Sequence, residues 1–357
     1  MIYISKPVIG DEEKAAVLQV LESGMLAQGA RTAELEQAFA EICGAQHAIA
    51  TSSGTTALQV ALTAHGIGEG DEVVTTPFTF IASVNSILYT GATPVFADIQ
   101  EDSFNIDPEL VEKAVSPRTK AIMPVHLYGY PCDMQELMQI AERHNLVIIE
   151  DAAQAVGAEY RGQRVGSFGT GCFSLYATKN VMSGEGGIIT TNDEELAQRC
   201  RMIRNHGMKR RYYHDALGYN YRISDLHAAL GVVQCKKLEA LTEARRRNAA
   251  AYNNRLKTVI TPKVKDDRTH VWHQYTIRVS EGRDRDAAVK QLNDAGVGTG
   301  IFYPVPAHKQ AYLAEMGLGE VHLPVAEQLA HEVISIPVHP QVSEEDLETV
   351  IAEVNKL

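Results

Sequence analysis

The sequence predicts an α/β protein, with a mostly parallel sheet buried on both faces in the first two thirds and a smaller α+β unit after it. Strand and helix signals alternate along the first two thirds, an order that requires crossover connections. At 357 residues, 45% hydrophobic and 22% charged, the chain has enough apolar material for a real core and is long for a single domain. After Ser224 the alternation gives way to one long helical stretch, a natural connector between two units.

Residues 11–23 and 31–43 carry apolar side chains at helical spacing, and residues 56–65 follow a Ser-Gly-Thr turn as a third helix. Short β-branched runs come next, at 72–76, 93–97, 121–125 and 146–149, with the amphipathic stretch 134–144 between the last two. Residues 172–176 and 187–191 add two further strands. Ser224-Asp225 forms an N-cap signal, and helical periodicity then runs from 226 to about 256. A strand at 272–279 and helices at 286–294 and 343–356 complete the chain. The boundary is expected inside the long helix, giving a large domain of residues 1–240 and a small one of 241–357.

A formal net charge of −12 removes a chain-wide footprint for nucleic acid, although Lys209-Arg210-Arg211 is a local basic spot. The five cysteines show no C-x-x-C spacing, so neither a disulfide framework nor a metal site is expected. No window is apolar for long enough to span a membrane, and the N-terminus lacks the pattern of a secretory leader. The expected location is the cytoplasm.

Three segments carry chemistry. The aliphatic run 147–149 ends in Glu150-Asp151, followed by Ala152-Ala153-Gln154. Ligands of open α/β sheets bind at the carboxyl ends of strands, so Asp151 is placed to face one. A helix-capping Asp is the plainer reading of that residue taken alone. Lys179 follows a strand and precedes the Gly-rich run Gly184-Glu185-Gly186-Gly187, with Ser174 five residues upstream in hydrogen-bonding reach of a phosphate. Thr51-Ser52-Ser53-Gly54-Thr55-Thr56 opens a helix with small residues, a ready anion site that has neither the P-loop pattern nor the hydrolase elbow. Gly166, Gly169 and Gly171 cluster, but not as the dinucleotide fingerprint.

Together these segments resemble the DegT/DnrJ/EryC1/StrS sugar aminotransferases, which are fold-type I enzymes. So do Pro77-Phe78-Thr79-Phe80, Pro124 to Gly129, Gly218-Tyr219-Asn220-Tyr221-Arg222 and Tyr303-Pro304-Val305-Pro306-Ala307-His308. The resemblance runs almost the whole length. It implies a seven-stranded large-domain sheet, pyridoxal 5′-phosphate as cofactor, and Lys179 as its Schiff-base and proton-shuttle lysine. It gives Asp151 to the pyridine nitrogen, Gln154 to the phenolic oxygen, Phe80 to the ring face, and Gly54, Thr55, Thr56 and Ser174 to the phosphate. Asn220 matches a residue reaching the phosphate of the neighbouring subunit, implying a homodimer with shared active sites. Tyr303 and His308 fall in a segment that lines the sugar site of relatives, and Lys209 is a candidate for a nucleotide diphosphate.

The implied reaction is ping-pong transfer from an amino-acid donor, glutamate, to a nucleotide-linked keto sugar. Relatives that aminate C3 read K-x-L-G-x-x-G-D-G after the lysine. The run Lys179 to Gly187 instead looks like relatives acting at C4 of 4-keto-6-deoxy sugars, an ending shared with inosose aminotransferases. A non-catalytic binding regulator and a dehydratase are the rivals. Lys179 stands where the dehydratases carry histidine.

Overall fold

The computed structural model describes residues 1–280 and 282–357. Its central sheet has seven strands in the order His47–Thr51, Gly187–Thr191, Thr170–Ser174, Val147–Asp151, Thr119–Met123, Glu72–Thr75, Thr93–Phe96. The last five run parallel, while Gly187–Thr191 lies antiparallel to both of its neighbours. This is the fold-type I sheet. The strand that pattern reading did not find is His47–Thr51, whose alanines give it little intrinsic strand preference. It is held by pairing with Gly187–Thr191 along its whole length.

Both faces of the sheet are covered. On one, Leu35, Phe39, Phe173 and Ile188 pack with Ala228, Val232 and Leu238 of the long helix. Phe39 and Phe173 meet edge to face at 5.5 Å, a geometry that adds about 0.5–1.5 kcal/mol beyond the area buried. On the other face, Leu58 and Leu62 of the helix Gly54–Ala64 cover Ile149 and Ile189. Helices at Asp11–Ser23 and Met134–His144 form at the bounds that periodicity predicts.

The long helix runs Asp225–Arg255, opened by Ser224, whose Oγ accepts from the His227 amide. Asp225 does more than start it. Its carboxylate accepts the amides of Gly29 and Thr32 at 2.8 and 3.0 Å, capping the helix Ala30–Cys43. Farther along, Ala249 and Tyr252 enter a separate core with Tyr275, Ile277, Leu292, Ile334 and Val350. There the strand expected at 272–279 shortens to Tyr275–Arg278, paired antiparallel with Val333–Ile336. Residues 271–274 bond sideways instead: the Val271 and Gln274 amides donate to the carbonyls of Gly129 and Tyr128. That detour brings His273 and Gln274 to the edge of the large sheet.

Candidate active site

Adjacent strand residues face opposite ways, and this separates the two acids that end Val147–Asp151. Glu150, fully buried, accepts the amides of Gly166, Phe168 and Gly169 at 2.8–3.0 Å, and His126 Nε2 lies 3.1 Å away. It anchors the loop behind the sheet. Asp151 faces the crevice, where it accepts from Ser83 Oγ at 2.6 Å and from the Ala153 amide at 3.2 Å. Burial pushes its carboxyl above the usual range, against those hydrogen bonds and the nearby Lys179 charge.

Lys179 sits just past Thr170–Ser174, its amide bonded to the Tyr176 carbonyl. Burial pulls its amine down to about 8, with the Asp151 charge opposing. The next residue, Asn180, is tied at both ends of its amide: Nδ2 donates to the Val271 carbonyl at 2.9 Å, and Oδ1 meets His273 Nδ1 at 3.2 Å. Lys179 is therefore carried on backbone fixed by contacts of its neighbour Asn180 with Val271 and His273.

Across the crevice the helix Gly54–Ala64 points its N-terminus at Ser174. Ser53 caps it, accepting from the Thr56 amide. Helix geometry leaves the Gly54 and Thr55 amides without intrahelical acceptors. A side chain at 54 would put its Cβ 2.8 Å from Ser174 Cβ, and one at 187 would strike the Ser53 carbonyl, so only glycine allows this close approach. All of this opens on one cavity of about 630 Å³. Phe80, 57% exposed, and Tyr303 flank it with ring centroids 6.2 Å apart.

These features are those of one known group of enzymes. A family model for the DegT/DnrJ/EryC1/StrS aminotransferases matches residues 7–355. The chain belongs to that family. It is 46% identical over 343 residues to a pleiotropic regulatory protein of Geobacillus stearothermophilus, covering 94% of this chain and 91% of that one. It is 40% identical over 350 residues to UDP-N-acetyl-3-dehydro-α-D-glucosamine 3-aminotransferase of Acidithiobacillus ferrooxidans, covering 97% and 94%. The structure matches DesV of S. venezuelae with a TM-score of 0.93 at 41% identity, over 97% of this chain and 94% of that one. DegT/DnrJ/EryC1/StrS proteins of this kind are pyridoxal-phosphate-dependent sugar aminotransferases, and this chain is one of them.

The donor set fits that cofactor. Free helix amides and the Ser174 hydroxyl, kept clear by Gly54, suit a phosphate. A buried carboxylate suits a ring nitrogen that carries a proton, and an amine lowered to about 8 suits a carbonyl. Gln154 is oriented rather than free, with Oε1 accepting from the Tyr128 amide at 2.7 Å and Nε2 donating to Tyr303 Oη at 3.2 Å.

Gly54, Thr55, Phe80, Asp151, Gln154, Ser174, Lys179 and Tyr303 thus line one cavity. Four expected residues do not. Thr56 spends its hydroxyl on the cap, donating to the Ser53 carbonyl and accepting the Ser53 amide. His308 is fully buried beside Phe96, with Nε2 3.0 Å from Glu327, which makes it a packed histidine of its own subunit rather than a lining group. Lys209 is exposed on the hairpin Met208–Arg210/Tyr213–His214, away from the cavity lining. Asn220 is exposed, and its neighbour Tyr221 accepts the Ser52 amide. Sequence reasoning missed Ser83, which has no motif, and His273, hidden in a run that reads as strand. Among the described residues, no helix is long and apolar enough to cross a membrane, and no cluster of three or more potential metal ligands is present.

Proposed function

We propose that this enzyme moves an amino group from glutamate to the keto carbon of a nucleotide-linked sugar, at C4 of a 4-keto-6-deoxy sugar. The observation that carries the reading is the single cavity joining Asp151 and Lys179 to the free helix amides of Gly54 and Thr55. Bound pyridoxal phosphate supplies an electron sink for the charge that develops at the donor's α-carbon. Lys179, with its amine near pH 8, takes and returns a proton at Nζ close to neutral pH. Asp151 holds the ring nitrogen protonated, because an adjacent anion favours the charged form. Gly54, Thr55 and Ser174 hold the phosphate, Gln154 the phenolic oxygen, and Phe80 one ring face. Tyr303 borders the sugar.

The exposure of Asn220 fits a homodimer in which it completes the partner's phosphate site, and exposed Lys209 fits a role toward a nucleotide diphosphate. A cytoplasmic location is part of the same proposal. A division near residue 240 is supported by the long helix, which enters the first core up to Leu238 and the last from Ala249.

The C4 assignment rests on the run ending Gly184-Glu185-Gly186-Gly187. A 3-keto sugar is the second reading, favoured by 40% identity to a 3-aminotransferase. Nucleotide-linked 3-keto and 4-keto sugars and an inosose, each incubated with glutamate and followed by mass spectrometry, decide between them. Amination of the 4-keto substrates alone is expected, and amination of the 3-keto set alone overturns the position. No turnover of any would favour the regulatory role carried in the name of the Geobacillus relative.

A further inference from the structure

Asp151 has one side-chain hydrogen-bond donor among the described residues, Ser83, and that serine has a second hydroxyl behind it. Ser83 lies in the first turn of the short helix Ala82–Leu88, and Thr79 in the bend that leads into it. The two hydroxyls stand 2.8 Å apart, and Ser83 Oγ is 2.6 Å from Asp151 Oδ2. All three residues are buried, and all three border the main cavity.

The proton count fixes the direction of this chain. A serine hydroxyl has one hydrogen to give, and an ionised carboxylate can only accept. With the Ser83 proton on Asp151, the Thr79 hydroxyl is the donor to Ser83 Oγ. The plainer use for Ser83 is the bond of a helical serine back to a carbonyl, here that of Phe80. That contact is 3.2 Å, against 2.6 Å to the carboxylate, so the acid takes the proton. The other Asp151 oxygen accepts the Ala153 amide at a longer 3.2 Å. Burial raises the Asp151 carboxyl, and the Ser83 hydrogen bond is the largest influence against it, ahead of Ala153, Lys179 and His126.

We propose that Thr79 and Ser83 form a donor relay that holds Asp151 ionised and fixed in rotation for the ring nitrogen of the cofactor. Both are then positioning residues for transamination. The inference rests on the proposed assignment of Asp151 to that nitrogen. The stretch 79–83 also carries Phe80, so one piece of chain serves the ring face directly and the ring nitrogen through Asp151.

Holoenzyme rebuilt with pyridoxal phosphate carrying ¹⁵N in its ring tests this by NMR at neutral pH, where the nitrogen shift reports protonation. The wild type should show a protonated nitrogen and Asp151→Asn a neutral one. Ser83→Ala should move the signal from the protonated toward the neutral position. Its single-turnover rate at saturating glutamate should fall roughly 10- to 150-fold, the scale of one hydrogen bond to a charged group, with glutamate affinity little changed. Thr79→Val, close in shape but without the hydroxyl, should shift signal and rate the same way by less. It also keeps the test available if Ser83→Ala does not fold. A nitrogen that stays fully protonated in Ser83→Ala overturns the relay even if the rate falls, since a merely structural serine would slow the enzyme without that shift. If Asp151→Asn itself leaves the signal unmoved, the assignment of Asp151 fails and the relay falls with it.

Discussion

At the scale of single residues, the site depends on two groups that burial shifts toward neutrality. Lys179 has its folded-state pKa lowered from 10.5 to about 8. For a lowered pKa the stabilising contribution is present above the unfolded value and is lost as pH falls through the folded one. The cofactor-free protein should therefore gain stability between about pH 8 and 10.5, a slope that Lys179→Met lacks in calorimetry. The rate at which cofactor-free protein takes up pyridoxal phosphate should rise with an apparent pKa of about 8, because only the neutral amine attacks a carbonyl. Borohydride should then fix the cofactor on a peptide containing Lys179, and label on another lysine would remove it from this role. Asp151→Asn keeps the shape but presents an amide where Ser83 or Ala153 donates, and it removes the anion from the ring nitrogen. Losing one half of a buried charge pair is worth about 3–5 kcal/mol, so turnover should drop roughly 10²- to 10⁴-fold. A primary isotope effect from α-deuterated glutamate should appear, placing the loss in proton transfer. Near-normal turnover would reduce Asp151 to a structural acid.

At the scale of elements, the proposed phosphate cradle is a contact between a helix N-terminus and a strand end, set by the absence of one carbon atom. Gly54→Ala puts Cβ 2.8 Å from Ser174 Cβ and 3.1 Å from its Cα, which is backbone and cannot swing away. Overpacking of this kind costs about 1–3 kcal/mol, so the dissociation constant for pyridoxal phosphate should rise roughly 5- to 150-fold, read by absorbance titration. Unchanged affinity would mean that the phosphate lies elsewhere. The helix start at Ser53-Gly54 was legible in the sequence because capping and glycine signals are local. So were Asp151 and Lys179, through strand ends and the resemblance. The helices at 11–23 and 134–144 and the strand at 187–191 were legible through periodicity. What was not legible depends on long-range partners. His47–Thr51 is a strand because its neighbour pairs with it. His273 lines the site because Asn180, Arg245 and Gly129 pull its segment out of line. His308 shows the converse: expected at the sugar site, it turns its ring toward Glu327, and only packing reveals that.

For the whole molecule, one subunit supplies every residue proposed to hold the cofactor except Asn220, which lies exposed beside the capped end of the phosphate helix. If it reaches the phosphate of a second subunit, the site is incomplete in a monomer. Asn220→Ala should then weaken cofactor retention by the worth of one hydrogen bond to a charged group, about 1.5–3 kcal/mol. That loss alone would not separate a contact across the interface from one within the chain. Mixing does. A Lys179→Ala subunit brings an intact Asn220, and an Asn220→Ala subunit brings an intact Lys179. In their heterodimer one site pairs the two intact residues and the other combines both lesions. After random exchange of closed two-fold dimers, roughly a quarter of all sites carry no lesion. Activity and cofactor absorbance should climb above both parents as exchange proceeds. If native mass measurement shows heterodimers while activity stays at the parental level, Asn220 serves its own subunit and the sites are not shared.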